Sequence, residues 1–146
     1  MQIINIRGKI TKINFQKLNN MPRAHLLFGI IVFIAFLVTG RFMRADFPDK
    51  EIISQEFRLL MRSRHIYILL SSFIHIVLGL YLQISPQAWR KYLQIFGSAL
   101  LMIGSVLLVY AFFYETYSLN HFSDLSRFGL YATLAGTFFH LSSRFR

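Results

Sequence analysis

Tyr92-Leu-Gln-Ile-Phe-Gly-Ser-Ala-Leu-Leu-Met-Ile-Gly-Ser-Val-Leu-Leu-Val-Tyr-Ala-Phe-Phe-Tyr114 contains no Asp, Glu, Lys or Arg. A run of this length and apolarity is long enough to cross a bilayer as a helix, at about 1.5 Å of rise per residue. Three further runs surround it. Residues 24–40 lie between Arg23 and Arg41, residues 66–85 end at Pro86, and residues 128–143 lie between Arg127 and Arg144. The first and last are short for a span, but flanking arginines can snorkel to an interface. The reading is all-α: an integral membrane four-helix bundle with spans near 24–43, 65–85, 90–115 and 127–143.

Composition agrees. Hydrophobic residues make up 55% of the 146 and charged residues 15%. Soluble domains usually carry about 25% charge, so a water-facing surface could hardly be built from this chain. It has no Cys, which excludes disulfides and thiol chemistry. The formal net charge is +10. The basic residues sit beside apolar runs and lack the scaffold of any DNA-binding motif. They point to a bilayer with anionic headgroups as partner, and to no nucleic acid.

Residues 1–23 form a basic N-terminal tail with Arg7, Lys9, Lys12, Lys17 and Arg23 and no acid; residues 24–146 form the transmembrane domain. The tail's isoleucines suit an amphipathic segment on a leaflet surface, and its charge suits a disordered basic tail equally well. The first apolar run is followed by Arg41 to Arg44 and no small-residue cleavage site, and reads as an uncleaved anchor. Between spans one and two, Asp46-Phe47-Pro48 is a break. From Asp49, the helical spacing of Ile53, Phe57, Leu60 and Met61 predicts an interfacial helix leading into span two. A solvated surface helix has the same pattern. The short turn 86–91 makes spans two and three antiparallel neighbours.

With the N-terminus inside, nine Lys and Arg fall on the cytoplasmic side and seven on the other, while all six acids fall on the outer side. Both termini are therefore placed in the cytoplasm. Tyr81, Trp89 and Tyr92 then mark the inner interface, and Tyr67, Tyr114 and Tyr117 the outer one.

In lipid, helices associate by close packing and hydrogen bonds. Small residues mark the packing faces: Ser72 and Gly79 in span two, Gly97-Ser98 and Gly104-Ser105 in span three, and Gly129, Thr133, Gly136 and Thr137 in span four.

Catalytic motifs are missing. There is no phosphate-binding Gly loop, no HExxH and no carboxylate inside any apolar run. Histidines are the chemical lead. His75 falls near the middle of span two, with Ser71 and Ser72 as hydrogen-bond partners on its side of the helix. His140 lies toward the inner end of span four, roughly 5 to 10 Å from His75 in depth. His25 opens span one at a level near that of His140. His65 and His121 form an outer pair. A b-type haem is commonly held between helices by two axial histidines. His75 and His140 are the candidate haem b ligands, against the plainer reading of neutral histidines bonded within the bundle. Arg62 and Arg64 could grip lipid phosphates or haem propionates, or simply anchor the helix at the interface.

The run Arg58-Leu-Leu-Met-Arg-Ser-Arg-His-Ile-Tyr67, then Leu78-Gly-Leu-Tyr81, Ala135-Gly136 and His140, resembles a group of small, functionally uncharacterised bacterial four-helix inner-membrane proteins. The resemblance implies a bacterial inner membrane and supplies no catalytic residue. The expected function is a non-enzymatic interaction or accessory subunit, packing against lipid and other membrane subunits. The alternatives are a small haem-binding redox subunit and a transporter component.

Overall fold

A computed structural model describes residues 20–47, 53–116 and 124–145. They form four helices: α1 (Met21–Asp46), α2 (Gln55–Tyr81), α3 (Ala88–Thr116) and α4 (Asp124–Ser142). The tail up to residue 19, the start of the expected interfacial segment at 48–52, and Tyr117 and His121 lie outside the described residues.

Local chemistry explains the ends. Pro22 sits in the first turn of α1, where its missing N–H has no intrahelical partner to lose. Ser54 caps α2 through a 3.3 Å bond from the Phe57 N–H, and Glu56 complements the positive end of the helix dipole.

Two expectations are corrected. Residues 55–64 are helical, but they are the first turns of α2 and not a separate interfacial helix. No Gly or Pro interrupts the chain between Gln55 and Leu78. One buried face runs through Met61, Arg64, Ile68, Ser71 and His75. Span two also ends early, at Tyr81, where Leu82 is already extended. The turn that follows is tied to α3 by the Gln94 side chain: its Oε1 accepts from the Ser85 N–H and its Nε2 donates to the Gln83 carbonyl, each at 3.0 Å. Gln94 is 1% exposed. Gln94→Leu removes two part-buried hydrogen bonds to the turn, each worth about 0.5–1.5 kcal/mol. Faster amide exchange at Ser85 is the expected readout.

Three helices, α1, α2 and α3, are long and apolar enough to cross a membrane. The expected fourth span is not among them. α4 has 19 residues, and Asp124, Arg127 and several Ser and Thr dilute its apolar character.

The tightest packing joins α1 to α2 and α3 to α4. The short turn between α2 and α3 makes them neighbours in contact, but glycines decide intimacy. A Cβ on Gly79 would lie 2.6 Å from the Leu26 backbone, and one on Gly136 would lie 2.7 Å from the Gly97 carbonyl oxygen. α1 contributes Gly29 to this set, a small residue that the sequence reading left out.

Polarity is inverted relative to a water-soluble bundle. The outward surface carries Leu27, Ile31, Phe73, Leu80, Val106 and Phe138, each at least half exposed. Most side chains buried inside are polar, among them His25, Ser72, His75, Ser98, Ser105 and Thr133. The buried apolar residues are a cluster of Val32, Met61, Ile68, Leu108 and Phe112, with Leu101 and Ala111 outside it.

Candidate functional site

Three histidines from three helices meet near one end of the bundle. By helical rise, His25 lies about 6 Å from the start of α1, His75 about 9 Å from the end of α2, and His140 about 3 Å from the end of α4. Glycines bring the helices close enough. A Cβ on Gly29 would lie 3.0 Å from the His75 Cβ, and one on Gly97 would lie 3.1 Å from the His140 Cδ2. The Ser72 hydroxyl fastens the first crossing by donating to the Gly29 carbonyl at 3.1 Å.

The result is a continuous hydrogen-bonded chain. His75 Nε2 is 3.1 Å from Ser105 Oγ, and His75 Nδ1 is 2.7 Å from His25 Nδ1. His25 Nε2 is 2.8 Å from Ser98 Oγ, which is 3.0 Å from His140 Nε2. The His25 and His75 rings stack at 4.9 Å between centroids, and the Phe28 edge closes over His75. His25 and His75 are fully buried and His140 is 6% exposed.

Donor counting assigns the protons for three neutral rings. The Ser105 hydroxyl donates to the Leu101 carbonyl at 2.9 Å, so its oxygen accepts from His75 Nε2–H. His75 Nδ1 must then accept from His25 Nδ1–H. His25 Nε2 accepts from the Ser98 hydroxyl, whose oxygen accepts from His140 Nε2–H. Every group has a partner except His140 Nδ1, which is buried and unbonded. His140 also lines an open groove with Val77, Tyr81, Thr137, Leu141 and Arg144, of about 230 Å³.

The predicted ligand pair thus falls within one cluster, but not as a haem clamp. An iron between His75 and His140 would need a free nitrogen on each ring facing the other. Both His75 nitrogens and His140 Nε2 are engaged, and His25 with Ser98 links the two rings. The residues do not fit bis-histidine haem. Among the described residues, no group of three or more His, Asp or Glu is arranged to hold a metal ion. Nor are Ser71 and Ser72 the partners of His75: Ser71 bonds to the Ile68 carbonyl and Ser72 to Gly29. The partner serines are Ser98 and Ser105, which the sequence pattern assigns to packing faces. Their seven-residue repeat, each after a glycine, was the available signal.

The opposite end holds a second polar group. Arg64 is 4% exposed, so it turns inward and does not grip a headgroup. Its Nη1 donates to the Glu115 carbonyl at 3.0 Å, and its Nε lies 3.5 Å from Glu115 Oε2. Glu115 Oε1 accepts the Leu125 and Ser126 N–H groups, and Oε2 accepts the Ser126 hydroxyl at 2.5 Å. Glu115 therefore both pairs with Arg64 and caps α4. Arg62 stays on the surface. His65 stacks on Phe36 at 4.1 Å and bonds through Nδ1 to Thr39 Oγ1 at 2.9 Å.

Fold and site together define a helical bundle with an apolar exterior and a polar, hydrogen-bonded interior. Comparison with protein-family models, with curated proteins and with solved structures gives no match.

Proposed function

We propose that the chain is a multi-pass protein of the bacterial inner membrane, with both termini cytoplasmic, that acts as a non-enzymatic interaction or accessory subunit. The observation that carries this reading is the inverted polarity: large apolar side chains outside, polar ones inside. In water that exterior would drive aggregation, whereas in hydrocarbon it is the expected surface. The bonds among His25, His75, Ser98, Ser105 and His140, with those of His65 to Thr39 and Ser72 to Gly29, tie helices together where no hydrophobic force does so. The exposed Arg62 and the basic tail supply charge for anionic headgroups.

Reporter fusions at residue 1, residue 88 and residue 146 are expected to read cytoplasmic, and a fusion at residue 54 to read the opposite side. Alkaline washing should leave the chain in the membrane fraction. In native gels of mildly solubilised membranes, it should migrate within a larger assembly. Extraction by alkali would overturn the membrane reading. Migration as the free 17.1 kDa chain would overturn the accessory reading.

A further inference from the structure

The histidine chain ends differently at its two ends. At Ser105 it is closed, because the hydroxyl donates to the Leu101 carbonyl. Beyond Ser105 lies the apolar cluster of Val32, Ile68, Leu108 and Phe112, and the buried Ser71 and Thr133 hydroxyls there each donate to a carbonyl of their own helix. At His140 it ends unsatisfied: Nδ1 is a buried acceptor with no partner, on a residue whose other atoms line a groove. The ring's Cδ2 faces Gly97 and its Nε2 faces Ser98, so the Nδ1 edge is turned away from α3. A buried acceptor without a partner is costly, and a water or a proton would satisfy it.

The geometry points to a one-sided proton relay: a proton from the end of the bundle where α2 and α4 finish enters at His140 Nδ1 and is passed through Ser98 and His25 to His75. The transfers balance. A hydronium ion in the groove gives its proton to His140 Nδ1, leaving water and an imidazolium. Its Nε2–H proton moves to Ser98 Oγ as the serine's own proton moves to His25 Nε2. The His25 Nδ1–H proton then moves to His75 Nδ1. The charge rests on His75, whose Nε2–H still donates to Ser105. Each hydrogen bond between His140 and His75 has reversed direction, and each is still made. Passing the proton on would require the Ser105 hydroxyl to leave Leu101, and the Ser71 and Thr133 hydroxyls to leave the carbonyls they hold. The relay is a half-channel, not a pore.

The titratable and charged groups facing it are few. α1 presents His25, and α2 presents His75 and, at the groove, Tyr81. α3 presents the neutral Ser98, Ser105 and Gln94 and, one turn before Gln94, Arg90 with its Nε buried. α4 presents His140 and Arg144, whose Nη2 donates to the Tyr81 carbonyl at 3.1 Å. Arg144 is the charged residue lining the groove. Its repulsion disfavours a cation held at His140 and favours transfer inward.

This proposal rests on the membrane reading only for which compartment supplies the proton. The test uses the full chain with ¹⁵N-labelled histidine, titrated in micelles and followed by NMR. In the wild type, the ring nitrogens of His75 should respond to pH together with those of His140. Ser98→Ala removes the hydroxyl link and should abolish the His75 response while His140 still titrates. Ser105→Ala lies past the stopping point and should leave the His75 response intact. A wild-type His75 that ignores pH overturns the relay, as does a folded Ser98→Ala whose His75 responds unchanged. Should Ser98→Ala fail to fold, the wild type in liposomes decides. A pH step on the side of the termini should move the His75 signal, and a step on the other side should not. The reverse, or equal responses, overturns the relay. A chain that does not float with liposomes overturns the membrane reading, and the micelle titration still decides the relay.

Discussion

Glu115→Ala is expected to destabilise the bundle by about 3–5 kcal/mol, the scale for removing one partner of a buried ion pair. The Arg64 and Glu115 side chains are 5% and 6% exposed. The substitution leaves the guanidinium buried without its counter-charge. It also frees the N–H groups of Leu125 and Ser126 at the start of α4, together with the Ser126 hydroxyl. Glu115→Gln keeps the size and one acceptor oxygen, so its loss should be smaller. Arg64→Met combined with Glu115→Gln should recover part of the loss, because no uncompensated charge remains. Thermal unfolding in detergent measures each variant. The control is the exposed Glu56→Ala. If Glu115→Ala lowers the midpoint no more than Glu56→Ala, the pair does not hold the bundle.

Gly136→Leu is expected to cost about 3 kcal/mol, at the upper end for overpacking a tight interface. The new Cβ would lie 2.7 Å from the Gly97 carbonyl oxygen, 2.8 Å from Leu101 Cγ and 3.0 Å from the Leu101 nitrogen. Two of those neighbours are helical backbone and cannot swing aside, so α4 must move away from α3. The 3.0 Å contact between Ser98 and His140 lies at the same crossing and should be lost with it. Leu134→Ala and Phe138→Ala, on the exposed face of α4, should leave stability nearly unchanged. Unfolding midpoints and a disulfide engineered across the α3–α4 crossing distinguish these outcomes. Equal effects on both faces of α4 would remove the case for a glycine-set interface.

The four helices were legible because long apolar runs and their charged flanks are local properties of the chain. Boundaries were less so. Pro86 was a sound stop signal, but the extended stretch before it is held by Gln94, a residue of the next helix. The polar turns at 55–64 read as a separate element because composition changes at His65; the backbone has no reason to break there.

By itself the sequence determined the helices, the small-residue faces of the last three and the depth of each histidine along its own helix. Those follow from rise, periodicity and side-chain size. Only the tertiary structure decided which way each helix is rotated about its axis, and so which groups meet. Depth alone matched His25 with His140. Rotation and close approach at Gly29 and Gly97 put His25 between His75 and Ser98, and left His140 Nδ1 as the chain's one unpartnered nitrogen. Hydrogen bonds are sensitive to a few tenths of an ångström and to angle. The helical pattern of a sequence resolves neither between separate helices.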